Sequence, residues 1–365
     1  MKFSSLQQDL LPSLQTVSRS VGMHGNLPVL GNILISAADN KLKIAATNLE
    51  IGVIKNINAK VTEPGEITIP AKTLVELING LGDLDINFES KGDNLEIESG
   101  NFKAKINGIS ANEFPAIPVN GDQVVSFRKE ILKKINEVLF AAAIDEGRPT
   151  LTGVLIESTK ESLNFVATDG FRLAHKHLKV EKNSSFKSLI PKRTFEEVLR
   201  ILDEEDVEDV EISTSKDQNQ IIFKIGNVLI SSRLIEGNFP SWEKIIPTDI
   251  KTRVIVERSL FFKAIKLASV FAKGEANVVT LNPGTGKISI TSEAKELGNQ
   301  QNEVEAEVSG ENFGVSFNAK FLQDLLQAVS AQQILMELSG PLSATLIKPM
   351  GVEGLEYILM PVRTN

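Results

Sequence analysis

The residues able to make or break bonds are few and poorly arranged for it. Gly284-Thr285-Gly286-Lys287 resembles the end of a phosphate-binding loop, where backbone N–H groups cradle phosphates and a following Ser or Thr holds magnesium. Leu281 stands where the first glycine of that loop belongs and Ile288 where the hydroxyl belongs, so the segment reads as a hairpin turn. Asp169, His175 and His177 could pass protons, yet no Ser in a recognisable elbow accompanies them. The chain has no cysteine, which excludes thiolate nucleophiles, disulfides and cysteine metal sites, and three histidines leave little for zinc. Asp203-Glu204-Glu205-Asp206 lacks the alternating ligands and glycine of a calcium loop and reads as a helix-to-strand connection. No metal, cofactor or catalytic residue is expected, and the chain is read as a non-enzyme.

Positive charge is what the sequence does place in order. The formal net charge is −8, which argues against nucleic-acid binding over the whole surface. On a helical wheel, however, Arg258, Lys263, Lys266 and Lys273 fall on one side of Arg258–Lys273, opposite Leu260, Ala264, Leu267 and Phe271, which are read as the buried face. Lys129 and Lys133 lie opposite Ile131, Ile135, Val138 and Leu139, and Lys192, Arg193 and Arg200 accompany a further helix. One basic helix is usually only a solvated face. Basic helices at corresponding places in an acidic chain amount to segregated charge, which a surface meeting phosphates requires. Lysine attracts the backbone without choosing a sequence, and an aromatic content of 5% offers little stacking for single strands. Duplex DNA, bound non-specifically, is the ligand this pattern predicts.

The elements that must carry these residues come in repeats. Leu27-Pro28-Val29-Leu30-Gly31-Asn32-Ile33-Leu34-Ile35 and Leu42–Glu50 recur 121 residues later as Arg148–Ile156 and Leu163–Phe171, and Ile69–Leu74 recurs as Ile190–Phe195. Asn112–Pro118 returns, slightly displaced, as Gly237-Asn238-Phe239-Pro240, and from Arg258 the same order of elements runs a third time. Each copy reads helix, strands, helix, strands. Leu6, Leu10, Leu14 and Val17 form one helical face, as do Ile131, Ile135, Val138, Leu139 and Ala142. Turn signals at Lys91-Gly92-Asp93-Asn94 and Asn282–Gly286 favour antiparallel hairpins. At 365 residues, with 42% hydrophobic and 24% charged residues, the chain predicts an α+β protein of three repeated domains, 1–120, 121–248 and 249–365, each with two helices and antiparallel sheets.

Four segments carry a resemblance: Leu27–Asn32, Ala167-Thr168-Asp169-Gly170-Phe171-Arg172-Leu173-Ala174, Glu236–Pro240, and Leu359-Met360-Pro361-Val362-Arg363. The sequence resembles the bacterial DNA polymerase III beta subunit family, the sliding clamps, over its whole length. The resemblance implies a DNA clamp fold whose chains form a head-to-tail homodimeric ring, helices inside and sheets outside. Size agrees: a body of about 121 residues is roughly 30 to 35 Å wide, so six in a ring leave a hole of roughly 30 Å, whereas three leave almost none. It also implies a pocket for short peptides, carried over here to Leu151, Thr168, Gly170, Arg172, Leu173, Pro240, Ile245, Met360, Pro361, Val362 and Arg363. DNA-facing positions would be His24 and Lys72, beside Lys129, Lys133, Lys192, Arg193, Lys263 and Lys266 from the charge pattern. The dimer seam would hold Ile106, Val270 and Phe271, with Lys103 and Lys105 facing Glu303, Glu305 and Glu307 across it.

The expected function is a processivity factor that slides on duplex DNA. Its expected partners are the DNA polymerase III catalytic subunit, the clamp loader, and other polymerases and repair proteins bearing clamp-binding peptides. No stretch approaches the roughly 20 apolar residues of a membrane span, and the opening lacks a signal peptide's apolar centre, so no membrane partner and a cytoplasmic location are expected. The rival readings are a magnesium-dependent nucleic-acid hydrolase with an acidic site and a monomeric repeat scaffold that binds only proteins.

Overall fold

A computed structural model describes residues 1–22, 27–82, 85–145, 147–180, 185–215, 219–272, 277–294 and 298–363. Its helices are α1 (Gln7–Ser18), α2 (Ala71–Gly80), α3 (Lys129–Lys133), α4 (Asn136–Leu139), α5 (Lys192–Glu204), α6 (Arg258–Ala272) and α7 (Ala319–Ala328). The chain divides into two compact units, one of residues 1–132 and 196–234, the other of residues 133–195 and 235–365. These units do not follow the repeat, and sheet pairing explains why.

In the first unit one sheet runs Lys60–Glu63, Lys2–Leu6, Asp85–Lys91, Asn94–Ser99, Phe102–Asn107. A second runs Gln123–Arg128, Asp209–Ser215, Gln220–Ile225, Val228–Arg233, Ile51–Asn58, Lys41–Thr47, Asn32–Ala38, Gly65–Pro70. The twelve-stranded sheet of the second unit runs Phe186–Pro191, Gly153–Ser158, Ser162–Thr168, Arg172–Lys179, Leu355–Leu359, Thr345–Pro349, Gln333–Leu338, Thr252–Glu257, Gly298–Gly310, Lys287–Ala294, Val278–Gly284, Val315–Asn318. All described pairs are antiparallel. Strand Ile51–Asn58 of the first repeat pairs with Val228–Arg233 of the second, Val53 opposite Ile230. At the 121-residue offset, Arg172–Lys179 pairs with Leu355–Leu359 of the third, Ala174 opposite Tyr357. Sheets therefore run continuously across the repeat boundaries.

Local patterns give the elements. Ile86 and Phe88 are buried and Asp85 and Asn87 exposed, the alternation of a half-buried strand. The predicted hairpins form, with Lys91 opposite Asn94 and Gly284 opposite Lys287. Helix α1 buries Leu10, Leu14 and Val17 as expected, whereas Leu6 ends the preceding strand. The helix expected over Ile131–Ala142 breaks into α3 and α4, because Glu137 N–H and Val138 N–H bond the carbonyls three residues back and tighten the chain.

The face of α6 also differs from the wheel reading. Phe261, Ala264, Ile265, Ala268 and Ala272 are buried, while Leu260, Leu267 and Val270 are more than half exposed. The alanines let α6 lie close against its neighbours, so the wide apolar side chains end on the open side. Asn318 caps α7, its Oδ1 accepting from Lys320 N–H at 2.9 Å. No helix of the described residues is long and apolar enough to cross a membrane.

Candidate functional site

Within the second unit a cleft of about 360 Å³ is lined by Arg148, Thr150, Leu151, Thr168, Gly170, Pro240 and Ile245. Three short segments meet there. The 3₁₀ turn Pro149–Leu151 supplies Thr150 and the buried Leu151. The turn joining strands Ser162–Thr168 and Arg172–Lys179 supplies Thr168 and Gly170. The connector before Thr252–Glu257 supplies Pro240 and Ile245, the latter in a 3₁₀ turn, Trp242–Ile245.

The middle turn is built by its own side chains. Thr168 Oγ1 donates to Arg172 O at 2.6 Å and accepts from Gly170 N–H at 3.0 Å, while Asp169 Oδ1 accepts from the N–H groups of Phe171 and Arg172. Gly170 sits at φ +91°, and a Cβ there would meet Arg148 Nη1 at 2.6 Å. Arg148 donates to Asp169 O at 2.8 Å and lies 6.0 Å from the exposed Phe171 ring, giving the mouth a cationic edge.

Of the eleven residues carried over, the structure brings five to the cleft lining: Leu151, Thr168, Gly170, Pro240 and Ile245. Leu173 lies in the apolar cluster with Leu155, Val166, Leu189, Trp242, Leu346 and Ile358. The guanidinium of Arg172 is bonded to Asp169, Asp324 and Phe140 O, outside the cleft lining. Met360 is partly exposed and its N–H donates to Phe171 O at 2.9 Å; Val362 N–H donates to Ser316 O at 2.8 Å; Pro361 is half-buried and Arg363 exposed. Arg148 and Thr150 line the cleft unforeseen, and the nearest sequence signal was their place beside Leu151 in the repeated Arg148–Ile156 segment.

Under the cleft's connector, Trp242 covers His175 with ring centres 4.3 Å apart. The His175 imidazole, 3.7 Å from Glu356, holds that carboxyl below its usual range against the opposing cost of burial, and Lys348 at 3.6 Å adds to it. Burial, then His175 and Lys179, hold His177 below the usual imidazole range.

The basic positions divide. Lys72, Arg193, Lys263 and Lys266 are exposed, and Lys72 lies 4.0 Å from Glu76. Lys129 donates to Glu205 O at 2.8 Å, and Lys133 and Lys192 are half-buried. Arg258 donates to Leu326 O and Ala331 O at the end of α7, so its charge serves a cap rather than an open face. His24 and Lys273 lie outside the described residues. The acidic run is partly paired, Glu204 with Arg19 and Glu205 with Lys55. Among the described residues no group of three His, Asp or Glu could hold a metal ion.

At the positions assigned to the seam, Ile106 is buried, Val270 exposed and Phe271 partly exposed. Strand Phe102–Asn107 is the last in its sheet. In strand Gly298–Gly310, residues 298–305 pair with Lys287–Ala294 on one side, while Thr252–Glu257 pairs only from Ala306 onward, so that half has an open edge among the described residues.

A repeated α+β body, sheets shared across repeat boundaries and a cleft on the second repeat define a three-domain clamp fold. Three family models match in succession: the DNA polymerase III beta subunit N-terminal domain over residues 1–118, central domain over 127–241 and C-terminal domain over 243–363. The chain is 33% identical to the beta sliding clamp of Synechocystis, covering all of this chain and 99% of that one. It is also similar to the sliding clamp structure from Bacillus subtilis (TM-score 0.95, 30% identity) and the beta subunit structure from Pseudomonas aeruginosa (0.94, 28%), each covered completely by the alignment. The chain belongs to the bacterial DNA polymerase III beta subunit family, the beta sliding clamps. Its function is that of a DNA polymerase processivity factor, not an enzyme.

Proposed function

We propose that two copies close head to tail into a ring around duplex DNA, and that the cleft tethers the DNA polymerase III catalytic subunit, the clamp loader, and other polymerases and repair proteins. The observation that carries the ring is the pairing pattern. Strand Ile51–Asn58 meets Val228–Arg233, and its equivalent Arg172–Lys179 meets Leu355–Leu359. Third in each series stand the open half of Gly298–Gly310 and the edge strand Phe102–Asn107. Pairing these between two copies uses both open edges and closes the assembly. Lys103 and Lys105 on one edge and Glu303 and Glu305 on the other favour that union over self-pairing, with Ile106, Val270 and Phe271 at the seam, whereas Glu307 lies where the strand already pairs with Thr252–Glu257. We take the domains as 1–120, 121–248 and 249–365.

The cleft suits an extended peptide: it is shallow, partly apolar and edged by an arginine, so affinity stays modest and partners exchange. Leu151, Thr168, Gly170, Pro240 and Ile245 form the walls in this reading, Leu173 the floor, and Met360, Pro361, Val362 and Arg363 the neighbouring rim. Lys72, Arg193, Lys263 and Lys266, with Lys129, Lys133, Lys192 and His24, supply the attraction to phosphates. Loading onto nicked circular DNA followed by a salt wash tests the ring: the protein stays on circles at high salt and leaves after linearisation. Loss from intact circles with rising salt would refute enclosure.

A further inference from the structure

Arg172 lies next to the cleft but spends its guanidinium elsewhere. Nε donates to Asp169 Oδ2 at 3.0 Å, Nη1 to Asp324 Oδ2 at 2.8 Å and Nη2 to Phe140 O at 3.1 Å. The group is 4.5 Å from the Phe321 ring centre and 5.2 Å from that of Phe140, and the side chain is only 10% exposed. Asp169 belongs to the cleft turn, Phe140 follows α4, and Phe321 and Asp324 sit on α7. One side chain thus fastens the turn carrying Thr168 and Gly170 to helices of two repeats.

We propose that Arg172 is a positioning residue for peptide binding, acting through the Thr168–Gly170 wall rather than by touching the peptide; this rests on the peptide-cleft reading above. Asp169 Oδ1 is occupied by the turn's own N–H groups, and Asp324 Oδ1 accepts from Lys320 Nζ at 3.1 Å. With Arg172 in place the two carboxylates share a bridging cation. Without it they face each other, 15% and 20% exposed, with only Lys320 to compensate. Repulsion then drives the turn and α7 apart. The cleft walls move with the turn, because Thr168, Asp169 and Arg172 are one hydrogen-bonded unit, and Phe171, which stacks near Phe321 at 6.4 Å, moves with it. Lysine is a poor substitute, since a point charge neither spans three acceptors nor lies flat between two rings.

The test is anisotropy with a fluorescein-labelled peptide bearing the clamp-binding segment of the cognate replicative polymerase, and the same peptide with its acidic residues changed to amides. Arg172→Gln is expected to weaken both by the same factor, about tenfold, equivalent to about 1.4 kcal/mol. Arg172→Lys should recover less than half of that loss on a logarithmic scale. The triple variant Arg172→Gln, Asp169→Asn, Asp324→Asn should bind within about threefold of the wild type, because removing the stranded charges removes the repulsion. A loss confined to the acidic peptide, or no recovery in the triple variant, overturns the proposal, as does an unchanged Arg172→Gln. If Arg172→Gln fails to fold, Arg172→Lys replaces it, and wild-type affinity there is equally fatal. A wild-type protein that binds neither peptide would instead reject the cleft reading itself.

Discussion

Two turns 121 residues apart share one hydrogen-bond plan and serve different ends. In the first repeat Thr47 Oγ1 donates to Ile51 O and accepts from Leu49 N–H, and Asn48 Oδ1 accepts from Glu50 and Ile51 N–H. In the second, Thr168 and Asp169 do the same for Gly170, Phe171 and Arg172. The side chains placed on that plan differ. Leu49 takes the left-handed position at φ +76° where the second turn has Gly170, Ile51 stands for Arg172, and Gly52 for Leu173. Over the first intrachain seam, where Ile51–Asn58 meets Val228–Arg233 as Arg172–Lys179 meets Leu355–Leu359 in the second, Ile117 packs on Leu34, Ala45 and Ile54, so closely that a Cβ on Gly52 would meet it at 2.7 Å. Over the second, Trp242 takes that role above Leu155, Val166 and Leu173. Duplication thus supplied a scaffold twice; one copy was filled with aliphatic side chains and the other kept open beside a glycine.

The covers give the largest expected difference. Trp242→Ala should cost about 3–5 kcal/mol in denaturant unfolding, since it leaves a cavity where a buried indole stood, and should weaken peptide binding because Pro240 and Ile245 flank it. Ile117→Val, a single methylene at the matching place, should cost about 0.5–1.5 kcal/mol and leave peptide affinity unchanged. Equal loss of peptide affinity in both would erase the functional distinction between the two seams.

Exchanging the turn residues sharpens the same contrast. Gly170→Leu imports the first repeat's residue into a left-handed position, at about 1–2 kcal/mol of stability, and sets a side chain against Arg148. Peptide affinity should fall by about tenfold or more, which anisotropy reads directly. Leu49→Gly should change stability by less than about 1 kcal/mol, relief of strain offsetting added unfolded-state entropy, and should not alter peptide binding.

Much of this was legible in the sequence because it is local. Turn signals gave the Lys91–Asn94 and Asn282–Gly286 hairpins, alternation gave the strands, and Leu151, Thr168, Gly170, Pro240 and Ile245, carried over from the family resemblance, fall where the cleft lining is. What the sequence did not disclose depends on distant partners. No local pattern states that Ile51–Asn58 will pair with Val228–Arg233, so the division into two compact units was invisible beneath the repeat. Arg172 reads as a residue of the peptide pocket until Asp324, 152 positions away, is seen to accept from it. The face of α6 was misread because a wheel assumes that the largest apolar residues are buried, whereas Ala264 and Ala268 make the close contact and Leu260 and Leu267 stay exposed.

The smallest expected effect lies in the pairs that cross each seam. Ile54 faces Leu229 in the first, and the equivalent pair in the second is His175 and Glu356. At this register the second seam therefore carries a titratable pair and the first an apolar one. Glu356 is held below its ordinary value of 4.5 by His175 and Lys348, so its stabilisation is complete above that value and drains away as pH falls through the folded-state value. His177 is held below 6.5 by burial, His175 and Lys179, so charging it opposes folding, and the loss begins as pH falls below 6.5. Both act in the same direction. Melting temperature between neutral pH and about pH 4 should fall less steeply in Glu356→Gln than in the wild type, and less steeply still with His177→Gln added. The reciprocal exchange Ile54→His, Leu229→Glu should give the first seam a titratable pair at this register and a steeper acid slope. If the acid slope were the same in wild type, Glu356→Gln and the reciprocal variant, the two seams would be electrostatically equivalent and the contrast would rest on packing alone.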